Sequence, residues 1–342
     1  MKASEIKNLL KSLYPDGPSM FLTGPSGVGK SEIIKQTTEE LGIAYHVFDM
    51  QLQDEVVLRG IPFVEDNWVT WKGSKELPFE GNDLFPEKGI LFLDEFNCSR
   101  RSLQNLGYQI ALEHRIGQFR LKENWYVCFA GNRETDRAEI FEVPGPLKAR
   151  VIQIEFTVSL KDWLNWAFSH NVSDEIISYI SWSCQNLEEG VDKLGNLINY
   201  DADSSDIAWP NPRAWSRNVN YLLKRNIRSF EAIAGCVGKS AASEFLAYLD
   251  VYKDMPKVED VLDKKVSFPT NVQMQYAIST ALIKYCNDST KVGLLFERII
   301  DKSIPEEFGT MILNNLLQTN PKIIMMNPNW KKAVGVLGDF LK

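Results

Sequence analysis

The eight residues Gly24-Pro25-Ser26-Gly27-Val28-Gly29-Lys30-Ser31 constrain this chain more than any other stretch. They fit G-x-x-x-x-G-K-[ST], and they join the apolar run SMFLT, residues 19–23, to a helix-like run that begins at Lys30. A strand that turns through glycines into a helix presents successive backbone N–H groups, and the positive end of the helix dipole, to whatever the loop holds. Such a loop is a cradle for phosphates, with Lys30 reaching β- and γ-phosphates and the Ser31 hydroxyl serving as a magnesium ligand. The plainer reading of the same letters is a glycine turn with a solvated lysine. The flanking strand and helix are the context that the phosphate reading requires.

Five runs read as strands: 19–23, 44–50, 89–96, 125–131 and 151–156. Most are apolar without alternation, as strands covered on both faces are, and helix-like runs separate them, so the first half predicts a parallel sheet between helices. In GILFLDEF the apolar residues run into Asp94 and Glu95, which places two carboxylates at the C-terminal edge of that sheet, where open α/β sheets bind ligands. Asp94 is expected to hold magnesium through water and Glu95 to polarise an attacking water. The next strand ends in Asn132, whose amide can orient that water between the γ-phosphate and Glu95. Solvated acids and a turn-capping asparagine are the plainer alternatives. Two hairpins are expected, one in IPFVEDNWVTWKG around Glu65-Asp66-Asn67, the other in IGQFRLKENWYV turning at Lys122-Glu123-Asn124. Trp68 and Trp71 of the first either pack it onto the domain or face outward.

From Val158 the apolar spacing becomes three and four, which predicts an all-α second half. Turn-rich stretches near 200–211 and 254–258 divide it into a lid and a C-terminal helical region. In WPNPRAWSR, Asn211 reads as an N-cap and Pro212 as the first helical residue, so Arg213 falls in the first turn, where the helix dipole disfavours a cation. A nearby anion would offset that cost, either the γ-phosphate of bound ATP or a carboxylate of the lid. Arg150, just before the last strand, is placed to project from its domain as an arginine finger toward a neighbouring subunit. Its alternative is a surface salt bridge, and Arg133 and Arg137 are rival fingers.

Composition removes other classes. A chain of 342 residues, 44% hydrophobic and 24% charged, can bury full cores. The net charge of −7 speaks against binding nucleic acid by charge alone. The five cysteines have neither disulfide nor metal-pair spacing, and His46, His114 and His170 have no ligand spacing either. The charged N-terminus is no signal peptide, and no run has the length of a membrane span, so a cytoplasmic protein without a membrane partner is expected.

The cradle, LFLDEFN, AGNRE, GPLKAR and NPRAW occur in the order and spacing of an AAA+ ATPase, and the chain resembles the MoxR-like and dynein-related branch over about residues 15–225. A bacterial and phage subgroup of that branch has a similar RGIP…W insert. The strand and helix runs, with that resemblance over its part of the chain, predict an α/β fold: an AAA+ P-loop domain with a five-stranded parallel sheet (1–158), an all-α lid (159–255) and, beyond the resemblance, a C-terminal helical region (256–342). It implies ATP and Mg2+ as cofactors, Walker A for Gly24, Pro25, Ser26, Gly27, Val28, Gly29, Lys30 and Ser31, and Walker B for Asp94 and Glu95. It also implies sensor 1 for Asn132, the finger for Arg150 and sensor 2 for Arg213. A homo-oligomeric ring, usually a hexamer, is implied, together with a protein partner carrying a von Willebrand factor A or metallopeptidase-like domain. The competing expectations are a nucleic-acid motor resembling the McrB restriction subunit and a nucleotide-switched assembly scaffold.

Overall fold

The computed structural model describes residues 1–136, 141–143, 145–185, 187–190, 192–201 and 206–338. Met1–Val158 form one compact unit, and Ser159–Tyr200 with the helices that follow form a second.

The first unit is built on strands β1 (Met20–Thr23), β2 (Ala44–Asp49), β3 (Lys88–Asp94), β4 (Asn124–Gly131) and β5 (Ile152–Glu155). They form one parallel sheet in the order β2-β3-β4-β1-β5. The central strands β3 and β4 are buried along nearly their whole length, which is why their sequences run apolar without alternation. The register places Thr23 opposite Gly131 and Glu155, and Asp49 opposite Asp94, so the strand ends share one edge. Beneath that edge Phe21, Phe96 and Phe129 meet edge to face, with ring centroids 4.7–6.2 Å apart. That geometry suits the quadrupoles of the rings, and burying each ring contributes about 1.5–3 kcal/mol.

The first hairpin forms where it is expected, Ile61–Glu65 pairing with Trp68–Lys72. Asp66 and Asn67 both have positive φ, 48° and 63°, as a two-residue turn matched to strand twist demands. Trp68 is 76% exposed, whereas Trp71 is half-buried with the Arg59 guanidinium 4.6 Å from its ring centre. The second hairpin differs from expectation. It pairs Arg115–Ile116 with Phe119–Arg120, and it turns at Gly117-Gln118 because Gly117 (φ 56°) supplies the left-handed backbone. Lys122 donates its backbone N–H to Pro78, and Asn124 already begins β4, so Lys122-Glu123-Asn124 is no hairpin turn.

Among the described residues the second unit's regular structure is helical except for a small ribbon, Lys193–Leu194 with Ile198–Asn199, which the all-α expectation omitted. Two helices follow one another closely, Phe230–Val237 and Lys239–Lys253. They break at Gly238 (φ 81°), where a Cβ would lie 2.7 Å from the Ala208 carbonyl oxygen. Residues on both sides of 255 share a core: Phe168 and Trp182 pack against the cluster of Leu282, Phe296 and Leu313. The Tyr276 hydroxyl donates to Gln185 Oε1 at 2.7 Å.

Candidate functional site at the sheet edge

The loop after β1 turns through Gly27 (φ 83°) and Gly29 (φ 109°), conformations that a side chain would strain, and runs straight into the helix Lys30–Leu41. Val28, Ile33 and Ile34 anchor it in the core. Lys30 is only 7% exposed, and a buried ammonium is costly without acceptors. Its Nζ donates to the carbonyl oxygens of Gly24 (2.7 Å) and Pro25 (3.2 Å), so the loop and its lysine form one unit.

Ser31 opens the helix, and its hydroxyl donates to Asp94 Oδ2 at 2.7 Å, linking the loop to the end of β3. The Tyr45 hydroxyl donates to the Ser31 carbonyl at 3.1 Å and fixes this first helical turn from β2. Asp94 Oδ1 accepts the backbone N–H of Glu95 at 3.0 Å. Glu95 is left-handed (φ 50°, ψ 36°), a conformation that costs a residue with a Cβ about 1–2 kcal/mol. The fully buried Phe96 beside it supplies packing that holds the strained turn.

From that turn Glu95 reaches Asn132 at the end of β4. Asn132 Nδ2 donates to Glu95 Oε2 at 2.9 Å and to Cys98 Sγ at 3.3 Å, and the Cys98 thiol donates to the same Glu95 oxygen at 3.3 Å. Asn132 Oδ1 is buried without a hydrogen-bond partner among the described residues. Burial and then the Glu95 carboxylate push the Cys98 thiol up to about 11, while Asn132 and Lys30 pull the other way, so sulfur remains protonated at neutral pH.

Two of these residues escaped the sequence reading. Cys98 entered there only as one of five thiols, and Asn97 only as the last letter of LFLDEFN, with no role given to either. The Asn97 amide pairs with the backbone of Asn132 in both directions, accepting its N–H at 3.0 Å and donating to its carbonyl at 2.6 Å. It extends the β4 ladder by one side chain. The only signal in the sequence was proximity to the two acids.

Each of the described candidate arginines is placed within its own unit. Arg150 is exposed, and it donates to the Tyr108 hydroxyl (3.0 Å) and the Pro146 carbonyl (3.1 Å), both uncharged. Arg133 grips Asp136 through its backbone N–H and its guanidinium, with Glu155 3.7 Å away, and is thus engaged within its own unit. Arg137 lies outside the described residues. Arg213 is exposed in the second unit, immediately before a π-helical stretch, Ala214–Val219. The side chain of Asn211 accepts the Ala214 N–H at 2.9 Å, the capping role expected of it.

Compared with protein-family models and with curated proteins, the chain matches none of them. Among solved structures it is similar to a point mutant of Thermotoga maritima RuvB, at 14% identity over 82% of this chain and 78% of that one, with a TM-score of 0.37. It is similar to a putative ATPase from Cytophaga hutchinsonii, at 11% identity over 98% and 79%, TM-score 0.36. NtrX from Brucella abortus, solved in complex with ADP, matches at 14% identity over 84% and 64%, TM-score 0.40. The strand order and the loop after β1 define an α/β P-loop domain followed by a helical region. No helix among the described residues is long and apolar enough to cross a membrane.

Proposed function

We propose that the chain is a magnesium-dependent ATPase of the AAA+ type, working as a ring motor that remodels a protein partner. The observation that carries the hydrolytic reading is one hydrogen-bonded line from the first turn of a helix across two strand ends: Ser31 to Asp94, Asp94 to the Glu95 backbone, Glu95 to Asn132. It joins a phosphate loop to a carboxylate and to an amide whose oxygen has no partner of its own among the described residues.

The residues fit the groups that this chemistry needs. A Cβ at Gly29 would meet nothing within 4 Å, so the backbone there borders open space. The Ser31 hydroxyl and the Asp94 carboxylate are the hard oxygen donors that magnesium prefers, and a nucleotide's own oxygens complete such sites. Among the described residues no cluster of three or more His, Cys, Asp or Glu could hold a metal by itself. Residues Gly24 to Ser31 would hold the nucleotide, with Lys30 on the β- and γ-phosphates. Ser31 and Asp94 would hold the metal, which when bound neutralises charge developing on the phosphoryl oxygens. Glu95 accepts a proton from the attacking water, and Asn132 keeps Glu95 oriented through Nδ2. Arg150 acts from the neighbouring subunit, Arg213 reads the γ-phosphate from the lid, and a hexamer puts the sites between subunits. The remodelling reading, and a partner with a von Willebrand factor A or metallopeptidase-like domain, rest on the resemblance to MoxR-like proteins.

Phosphate release and fluorescent-ATP binding test the assignment together. Glu95→Gln is expected to bind ATP as tightly as the unaltered protein while turnover falls at least about a hundredfold, and Lys30→Ala to lose binding. A Glu95→Gln protein that cannot bind nucleotide overturns the role given to Glu95. Capture with ATP-held Glu95→Gln then separates the motors: a specific protein partner supports remodelling, whereas nucleic acid or a nuclease subunit favours the restriction-type reading.

A further inference from the structure

We propose that Cys98 is a positioning residue for hydrolysis: its thiol and the Asn132 amide close a ring of hydrogen bonds that fixes the Glu95 carboxylate. The inference rests on the role given to Glu95 above. It starts from the backbone, because left-handed Glu95 opens a 3-10 turn, Phe96–Cys98, that the Cys98 N–H closes onto the Glu95 carbonyl at 3.0 Å. In such a turn residues three apart lie one above the other, so the Glu95-x-x-Cys98 spacing brings sulfur back over the carboxylate.

A single hydrogen bond leaves a carboxylate free to swing about its last torsion, whose barrier is low. Here Glu95 Oε2 accepts from both Asn132 Nδ2 (2.9 Å) and Cys98 Sγ (3.3 Å). Asn132 Nδ2 also donates to Cys98 Sγ (3.3 Å), so each member is tied to the other two. Sulfur takes part as both donor and acceptor, which the thiol form allows and the thiolate does not. A thiol is a weak donor, so it orients the carboxylate while drawing little basicity from it, which suits a group that must still take a proton. The four other cysteines lack this arrangement: Cys128, Cys184 and Cys286 are buried, and Cys236 donates to the Ala232 carbonyl of its own helix.

Three variants read in phosphate release and ATP binding test the ring. Cys98→Ala is expected to lower kcat about 3- to 10-fold with KM and ATP affinity unchanged, and Cys98→Ser, which keeps an O–H donor, to recover most of that loss. In a Glu95→Gln background Cys98→Ala is expected to add nothing, because the group it positions is gone. A purely packing role predicts the opposite order, with serine the worse replacement and stability falling in place of kcat. A kcat for Cys98→Ala within twofold of the parent, or serine no better than alanine, overturns the proposal. If Glu95→Gln hydrolyses ATP normally, the catalytic reading of Glu95 fails and the inference with it. If Glu95→Gln is inactive and Cys98→Ala fully active, only the inference fails.

A measurement that needs no turnover completes the test. Iodoacetamide labelling followed by peptide mass spectrometry is expected to proceed several-fold faster at Cys98 in Glu95→Gln than in the parent, with Cys236 as the internal control. The carboxylate that holds the thiol proton has then been removed. Equal rates show that sulfur does not donate to Glu95, and the ring is rejected.

Discussion

Gly131 has no side chain because there is no room for one: a Cβ there would lie 2.2 Å from Asn97 Oδ1. That oxygen is the acceptor that fixes the Asn132 backbone, so Gly131→Ala drives Asn97 away and leaves buried polar groups unpaired. A loss of about 1–3 kcal/mol in denaturant unfolding is expected, with ATP still bound and hydrolysis impaired, since the cradle is untouched and only Asn132 has shifted. Unchanged hydrolysis would show that the backbone pair does not position Asn132. Asp94, Glu95 and Asn132 were legible in the sequence because each sits at a strand's end, and a strand's end fixes which edge a residue occupies. Asn97 and Cys98 were not, because their contacts depend on a left-handed backbone at a glutamate. No spacing announces that, since glutamate is not among the residues enriched in the conformation.

At the scale of elements, hydrophobic runs located all five strands of the sheet, and boundaries moved by a residue or two. The turns were harder. Asp66-Asn67 was readable because both residues tolerate positive φ, whereas Gly117-Gln118 lost to a more polar tripeptide a few residues on. The first ribbon carries a sharper constraint at its base. Gly60 has φ 87°, and a Cβ there would sit 2.3 Å from the Lys72 carbonyl oxygen, inside the strand pair that begins with Ile61 and Lys72. Gly60→Ala should therefore unpair the ribbon from its base. Val64 is 75% exposed and Trp68 76%, so the ribbon's tip contributes little to the core. The expected outcome is faster proteolytic nicking between 60 and 73 with the domain's unfolding midpoint nearly unchanged, read by limited proteolysis beside thermal melting. A large fall in the midpoint would mean that the ribbon is part of the domain's cooperative unit. The helical half was legible as helix from its spacing. Its one described ribbon was not, because two-residue strands are too short to show a period of two.

At the scale of the whole molecule, the first unit holds a loop, a carboxylate and an amide, while its exposed Arg150 points to no acid among the described residues. On the proposed reading that arginine completes the site of a neighbour, and the consequence is a complementation test. Arg150→Ala subunits keep Glu95 but present no finger, and Glu95→Gln subunits present the finger but cannot activate water. Each alone should hydrolyse ATP poorly, by about 10³-fold or more where a finger is at stake. Mixed one to one in a head-to-tail ring, about one interface in four pairs an intact Glu95 with an intact Arg150 of the next subunit, so activity should return. The return depends on shared interfaces, and it should vanish on dilution below the concentration at which rings form. If Arg150 acted within its own subunit, every subunit in the mixture would lack one of the two groups and no ratio would restore turnover. If Arg150 were only a surface residue, Arg150→Ala alone would already be active. Hydrolysis measured across mixing ratios therefore separates the three cases, and only the first gives a maximum at an intermediate ratio.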